Sequence, residues 1–483
     1  MAAWTQPDVR LEEIITQARV VIGGLSIQDT FSGSLDADVA ALRMQVEPSD
    51  DIVFRQVPGA PTACVLVYQR GCADDKALGA SVLGHLRQGE TQALPGAGTA
   101  ATCAEAAHKL FAGDVLLLQE GVAQALTFTL SARLPGDQPQ VERVIRGPHQ
   151  AFTPDLYQNI ALLRRMAQHP LIRVEILPLP QNHRRSFAIA YKAGEAPLSV
   201  RADLLRRLSH VTVDNIVDVT ALKPFLADDP YSAFVNVQLT ERLDTAALAV
   251  LDGRFVLFAG DAAQVLLLPA TLIEMMNSPE DLYLPRYIGD MARALRWGSA
   301  FVALLGEAIY IAITTLHQEL LPTPLAFAVA RSRAGVPLPV FAEVLVMALI
   351  IEVLREAAIR LPNSLSQTIS IVGALVIGQA VVQAGLISAP VIVLVAVVAL
   401  ASFVIPQYEI AIIVRLLRFP AMLAAVILGL YGIALYGLVL LLHLCRLRSF
   451  GVSYLSPVAP MHTGQMQRIL RVPLHWYRKP QAT

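Results

Sequence analysis

Charge is what this 483-residue sequence has least of. Only 16% of its residues are Asp, Glu, Lys or Arg, where a soluble globular chain carries about 25%. Acids are rarest late in the chain. From Ser299 onward there are six, all Glu, against twelve bases, which leaves 33 acids and 26 bases before it. The overall −1 therefore combines a first part of −7 with a second part of +6. Cysteine is scarce as well. Cys64, Cys72, Cys103 and Cys445 include no CxxC pair, which excludes a disulfide framework and leaves reduced thiols in a chain facing the cytoplasm. Catalytic motifs are missing too: there is no HExxH, no GxSxG and no GxGxxG after a strand. The nearest run to a phosphate loop, Gly79 to Gly84, has His85 where a Lys is required. Such a composition points to no enzyme, no metal, no cofactor and no nucleic acid. The start, MAAWTQPDVRLEEII, lacks the basic and apolar regions of a signal peptide. Nearly 300 residues are thus expected on the cytoplasmic side.

Long hydrophobic runs are what the second part has instead. Between Arg360 and Glu409 lie 48 residues without a formal charge, and at about 1.5 Å per residue this is some 70 Å of helix. A bilayer core needs about 20 helical residues. Spans are expected near 367–386 and 389–406, broken at Gly385 to Pro390, with others over 419–445 and 299–321. Glu307, His317 and Glu319 weaken the last. The stretch 340–359 is apolar but carries Glu343, Glu352, Arg355 and Glu356, so it reads as a short re-entrant or interfacial helix. Arg355 is placed to pair with Glu352 at i−3. The alternative is a fifth full span. Arg286, Arg293 and Arg296 before the first span, and Arg446, Arg448, Arg468, Arg471, Arg478 and Lys479 after the last, put both ends on the cytoplasmic side. An even number follows, and four spans fit. Arg331, Arg333, Arg360, Arg415 and Arg418 are then left outside or in protected pockets.

Before the membrane, apolar runs at 63–69, 114–120, 125–132, 172–178 and 186–193 read as strands, alternating with helical patterns at 156–168 and 202–208. This argues a soluble α/β region of two subdomains, 1–146 and 147–298, divided near Arg146-Gly-Pro148. An all-α polytopic membrane domain, 299–447, and a basic cytoplasmic tail, 448–483, complete the chain. Asp252-Gly253 inside the apolar run 248–260 reads as the turn of a β-hairpin.

Several strings resemble one family, the A subunits of GerA-type spore germinant receptors. They are RGPHQAFTPDLYQNIALLRR (146–165), QLTERLD (238–244), NSPEDLY (277–283), TTLHQELLPTPL (314–325), REAAIRLP (355–362), QTISIVGALVIGQAVVQAGLIS (367–388), RLLRF (415–419) and SFGVSYLSP (449–457). Departures are Leu243, where the family has Pro, and Glu307, also at a position where Pro is expected. The resemblance implies a multi-pass protein of the endospore inner membrane, working with a transporter-like B subunit that binds the nutrient and a lipoprotein C subunit. It further implies self-association into a ring whose membrane domain conducts ions and so starts germination.

The 367–386 span has a face suited to that role. Thr368, Val372, Val376, Gln379 and Gln383 share one side of a helix, with the two valines placed to gate by dewetting. Beside them run the small residues Ser366, Ser370, Gly373 and Ala380, where a neighbouring helix can approach. The plain alternative is that both amides hydrogen-bond between packed helices. The charged residues Glu307, Glu343, Glu352, Arg355 and Glu356 form a second candidate set, because intramembrane charge is costly. His317, Glu319, Pro322 and Pro324 mark a stiff loop after the first span, read as a vestibule ion site, a subunit contact or simple interfacial solvation. Competing functions are a non-conducting membrane scaffold, an accessory paralogue and a secondary transporter.

Overall fold

The computed structural model describes residues 30–72, 98–129, 136–139, 142, 146–177, 186–211, 218–260, 262–360 and 380–461. The chain divides into two compact units. The first comprises Met1–Val141, Pro148–Lys223 and Leu239–Leu267, and the second Glu142–Gly147, Pro224–Gln238 and Leu268–Thr483.

In the first unit, β1 (Ile52–Gln56), β2 (Cys64–Gln69), β3 (Gly98–Ala100), β4 (Val115–Gln119) and β5 (Ala125–Phe128) form a sheet ordered β1-β2-β4-β5-β3. Its pairings are antiparallel, with Leu66 opposite Leu117 near the centre. Helices α1 (Leu35–Val46) and α2 (Cys103–Ala112) bury Leu42, Val46, Ala106 and Leu110 against Val65, Val67, Leu116 and Leu118. The opposite face buries Leu66, Tyr68, Val115, Leu117 and Phe128. Burial on both faces is why these strands read as continuous apolar runs rather than alternating ones. The side chain of Thr102 accepts the Glu105 N–H at 3.1 Å to start α2, and Gly113 at φ 105° ends it.

A second sheet contains β6 (Ile172–Leu177), β7 (Phe187–Lys192), β8 (Gln238–Thr240), β9 (Phe255–Ala259) and β10 (Val265–Leu268), ordered β6-β7-β9-β10-β8. Helices α3 (Leu156–Ala167) and α5 (Leu243–Leu251) supply Ile160, Leu163, Ala246 and Val250 to its core, and α4 (Leu198–Ser209) follows β7. The hairpin expected over 248–260 is not formed: its first half is the end of α5 and its second half is β9. Gly253, at φ 83°, donates to Val250 O at 3.0 Å, and Arg254 to Ala249 O at 2.9 Å. Those two bonds close a helix end, so Asp252-Gly253 stops a helix instead of turning a hairpin. Leu243 occupies the first helical position of α5, where Pro is equally at home, which accounts for that departure from the family pattern.

Two buried ion pairs organise this unit. Arg164 on α3 grips Asp51 through Nε at 2.6 Å and Nη2 at 2.8 Å, and donates from Nη1 to Ile172 O at 2.9 Å. Arg242 pairs with Asp244 at 2.6 Å and also reaches Pro148 O at 3.2 Å, which joins two of the family-like strings. No cysteine is in a disulfide; Cys64, Cys72 and Cys103 are buried and Cys445 is exposed. Burial pushes the Cys72 thiol up to about 11, keeping it protonated.

The second unit is helical. It contains α6 (Arg286–Thr315), α7 (Thr323–Arg333), α8 (Val340–Arg360), α9 (Ala389–Phe403) and α10 (Tyr408–Arg446), then a small hairpin of β11 (Arg448–Ser449) and β12 (Val452–Ser453). Asp281, held in a capping box with Ser278, chelates Arg296 of α6 at 2.5 and 2.7 Å. The Ser449 hydroxyl accepts from the Ala270 N–H at 3.0 Å and donates to Asn236 O at 2.6 Å. The strings NSPEDLY and SFGVSYLSP thus serve as anchors at the base of the helices.

α10 is two helices joined at Gly429, whose φ of 60° and ψ of −136° are not helical. The arms lie antiparallel: Tyr436 Oη donates to Leu417 O at 2.8 Å, and Leu444 and Leu447 pack in one cluster with Ile410, Ile413 and Val414. The single span expected over 419–445 is therefore one half-arm, a reversal and the whole returning arm. A glycine reverses the chain here because left-handed φ costs a side-chain-bearing residue.

Candidate functional site

Among the described residues, two helices, Tyr287–Thr315 and Tyr408–Arg446, are long and apolar enough to cross a membrane, and Ala389–Phe403 is a shorter apolar helix. Each of the two long helices has a stretch that begins at an exposed aromatic residue and ends at an exposed leucine. On α6, Trp297 is exposed and Leu316 lies just past the other end, about 28 Å along the helix. The first arm of α10 runs from exposed Tyr408 to exposed Leu428, about 30 Å, the thickness of a hydrocarbon core. Glu307 and Arg418 sit midway along these two stretches.

The structure brings them together. Arg418 Nη1 donates to Glu307 Oε1 at 3.2 Å, and both side chains are at most 2% exposed. Glu352 of α8 joins them: it accepts from Arg418 Nη2 at 2.9 Å, Arg415 Nη1 at 3.2 Å and Arg355 Nη1 at 3.3 Å. Arg355 also donates to Ser402 Oγ of α9 at 3.1 Å and lies over the Phe403 ring. Four helices thus converge on one ionic cluster. Glu307 Oε2 and Arg418 Nε, both buried, have no hydrogen-bond partner among the described residues, and a bridging water is the usual remedy for such atoms.

Of the five charged residues expected to act as one set, three are in this cluster. Glu343 belongs elsewhere: its buried carboxylate accepts from Arg333 Nη2 at 3.1 Å, and from the Ser388 N–H at 3.1 Å and Oγ–H at 2.8 Å. Glu356 is exposed and pairs with Arg360 at 2.6 Å, one turn along α8. Helical phase accounts for Glu343, which lies nine residues and half a rotation from Glu352, whereas Glu356 shares the side of Glu352 but sits one turn further along, exposed beside Arg360. Arg415 and Arg418, left earlier without a role, are central to the cluster. Their spacing of three residues on an apolar helix was the available signal, together with the need of each buried carboxylate for a cation.

The segment 340–359, read above as a short re-entrant or interfacial helix, is helical throughout. It forms the 21-residue α8, whose Val344, Met347 and Ala348 are buried. Val344 and Met347 share a cluster with Ile311 of α6, Val391 of α9 and Met422 of α10. Glu343, Glu352 and Arg355 turn to partners on neighbouring elements, whereas Glu356 stays exposed beside Arg360.

Of the expected pore-lining face, Thr368, Val372, Val376 and Gln379 lie outside the described residues, as do Ser366, Ser370 and Gly373. Ala380 and Gln383 are described, and both are exposed. His317 lies 3.6 Å from Glu319, which is largely exposed. Pro322 and Pro324 do more than stiffen a loop: they occupy the cap and first turn of α7, where the missing N–H costs nothing.

A sequence profile described as the Bacillus/Clostridium GerA spore germination protein matches residues 40–482. The chain belongs to this GerA family. Among relatives of Bacillus subtilis (strain 168), the membrane protein YfkQ is 35% identical over 456 residues, 91% of this chain and 89% of its own length. Spore germination protein KA is 34% identical over 468 residues, 92% of this chain and 85% of its own length. Spore germination protein A1 is 42% identical over 320 residues, 66% of each chain. A crystal structure of the N-terminal domain of the A subunit of the Bacillus megaterium spore germinant receptor GerK3 aligns with 50% of this chain and 97% of its own, at 21% identity and a TM-score of 0.39. The fold class expected from the apolar runs and their alternation with helical patterns, α/β followed by apolar helices, matches the sheets and helices described above.

Proposed function

We propose that this GerA-family chain is the A subunit of a nutrient germinant receptor in the endospore inner membrane, and that it assembles into a ring whose helices conduct ions. The first unit is then cytoplasmic. A transporter-like B subunit reads the nutrient, and a lipoprotein C subunit completes the receptor. The observation that carries the conducting role is the contrast between inward and outward polar groups. Glu307, Glu343 and Arg418 are buried against partners, whereas Gln383, at the end of the 367–386 segment, is exposed on the single chain. An amide exposed in an apolar bundle calls for water or a neighbouring subunit, as a pore-lining face does. α8 packs Val344 and Met347 in one cluster with Ile311 of α6, and Gly429 reverses α10; in this reading an even total of crossings keeps both ends on one side.

The test is potassium release from spores offered a panel of nutrients, with and without this chain. Loss of release for one nutrient class assigns the receptor, and Val372→Ala should then leak ions before any nutrient is added. Unchanged release for every nutrient sinks the conducting reading in favour of an accessory paralogue or a scaffold. A saturable flux coupled to substrate would instead favour a transporter.

A further inference from the structure

The cluster around Glu352 is unbalanced in charge. Two carboxylates, Glu307 and Glu352, face three guanidinium groups, Arg355, Arg415 and Arg418. The formal excess is +1. Among the described residues no third carboxylate is paired with these arginines: Glu319, Glu343 and Glu356 are engaged with His317, Arg333 and Arg360, and Glu409, at the start of α10, is engaged as well.

Donors are in excess too. A guanidinium carries five N–H donors. Arg355 uses its own on Glu352 and Ser402 alone, and Arg415 on Glu352 and Ala411 O. Arg418 Nε is buried with nothing to donate to. Unpaired cationic donors in an apolar bundle are expensive, and an anion relieves both the charge and the donor surplus.

The open edge of the cluster says which kind. Arg418 is sealed, but the Arg355 and Arg415 side chains each keep 13% of their surface exposed. Arg415 lies seven residues past Tyr408, about 10 Å along the arm, and Arg355 fifteen residues past Val340, about 22 Å along α8. Both therefore sit toward the Tyr408 end of the bundle, within reach of headgroups for long side chains that snorkel. Basic pockets between membrane helices at that depth suit phosphate groups.

We propose that the Arg355–Arg415 edge binds a phosphate oxyanion, supplied by an anionic lipid wedged against α8 and α10 or by free phosphate. The site rests on the membrane reading given above but not on ion conduction. Its test uses the full chain in nanodiscs of phosphatidylcholine alone, of phosphatidylcholine with phosphatidylglycerol, and of phosphatidylcholine with inorganic phosphate added. Lipid retained after detergent extraction and the melting temperature are both read. Wild type should retain phosphatidylglycerol about fivefold better than Arg415→Gln, the factor of roughly 1 kcal/mol that one arginine contributes to an anionic headgroup. Arg415→Lys should recover part of that, and Arg360→Gln should behave as wild type. Stabilisation by inorganic phosphate alone, lost in Arg415→Gln, would keep the site and assign it to a free anion. Wild type that neither enriches phosphatidylglycerol nor responds to phosphate overturns the proposal, whatever the variants do. Flotation with phosphatidylcholine vesicles separates the two failures: a chain that does not float refutes the membrane reading, and one that floats without selecting anions refutes only the site.

Discussion

The two units each bury an arginine against a carboxylate, and they do so to different effect. In the first, Arg164 meets Asp51 in a bidentate grip and spends its remaining donors on Ile172 O and Ser49 Oγ, at 2.9 and 3.2 Å. In the second, Arg418 touches Glu307 through a single bond of 3.2 Å, shares Glu352 with two other arginines, and leaves Nε and the Glu307 Oε2 unanswered. The first pair is a finished clamp, since strands and loops can aim backbone carbonyls at a guanidinium. Helices offer fewer, because most of their carbonyls are already used within the helix; the two that accept here, Ala411 O from Arg415 and Ala348 O from Arg418, do so at 3.3 and 3.4 Å. A charge inside a helical bundle must find side chains, and it finds fewer of them.

That contrast can be broken by experiment. Arg164→Ala should do the most damage, leaving Asp51 buried and unpaired at a cost of about 3–5 kcal/mol, read as a shift in the denaturant midpoint; a loss below about 1 kcal/mol would show that the clamp is not what holds this unit. Gly429→Ala comes next. The added Cβ would lie 2.6 Å from His317 Nε2, in a backbone conformation with φ of 60°, and a cost of about 1–3 kcal/mol is expected from strain and crowding; melting of the detergent-solubilised chain measures it. Glu307→Gln should cost less than Asp51→Asn in the same assay, because Glu307 accepts one bond where Asp51 accepts two. Equal losses would erase the difference between the two pairs.

The smallest effect concerns Lys223. Burial lowers its pKa from 10.5 to about 8, with Asp218 opposing the shift. The unfolded chain then binds the proton more tightly than the folded one, so stability should rise as pH increases from about 8 towards 10.5. Lys223→Met should flatten that rise and stabilise the chain at neutral pH. A profile unchanged by the substitution would mean that the ammonium is better solvated than its burial implies.

Much was legible in the residues. Apolar runs located five strands, and the family-like strings turned out to hold the anchoring bonds of Arg242, Asp281, Arg296 and Ser449. Reading went astray where one residue type serves two geometries. Gly253 ends a helix, though an Asp-Gly pair also turns hairpins. Gly429 reverses a helix inside a run uniform enough to pass for one span. Pro322 and Pro324 begin a helix where they were taken only to end one. In each case the local pattern is the same for both outcomes, and packing at a distance selects between them.

The candidate site divides in the same way. Local periodicity was enough to pair Arg355 with Glu352, because three residues on a helix are neighbours whatever surrounds them. It could not pair Glu307 with Arg418, 111 positions away, or tell that Glu356, on the same side of the helix as Glu352, stays outside the cluster. By itself the sequence determined the family, the division into an α/β part and an apolar helical part, and the scarcity of carboxylates in the latter. Only the tertiary structure decided which charges meet, since that depends on how helices are placed against one another. The surplus of arginine became visible as a local property only once α6, α8, α9 and α10 had been brought together.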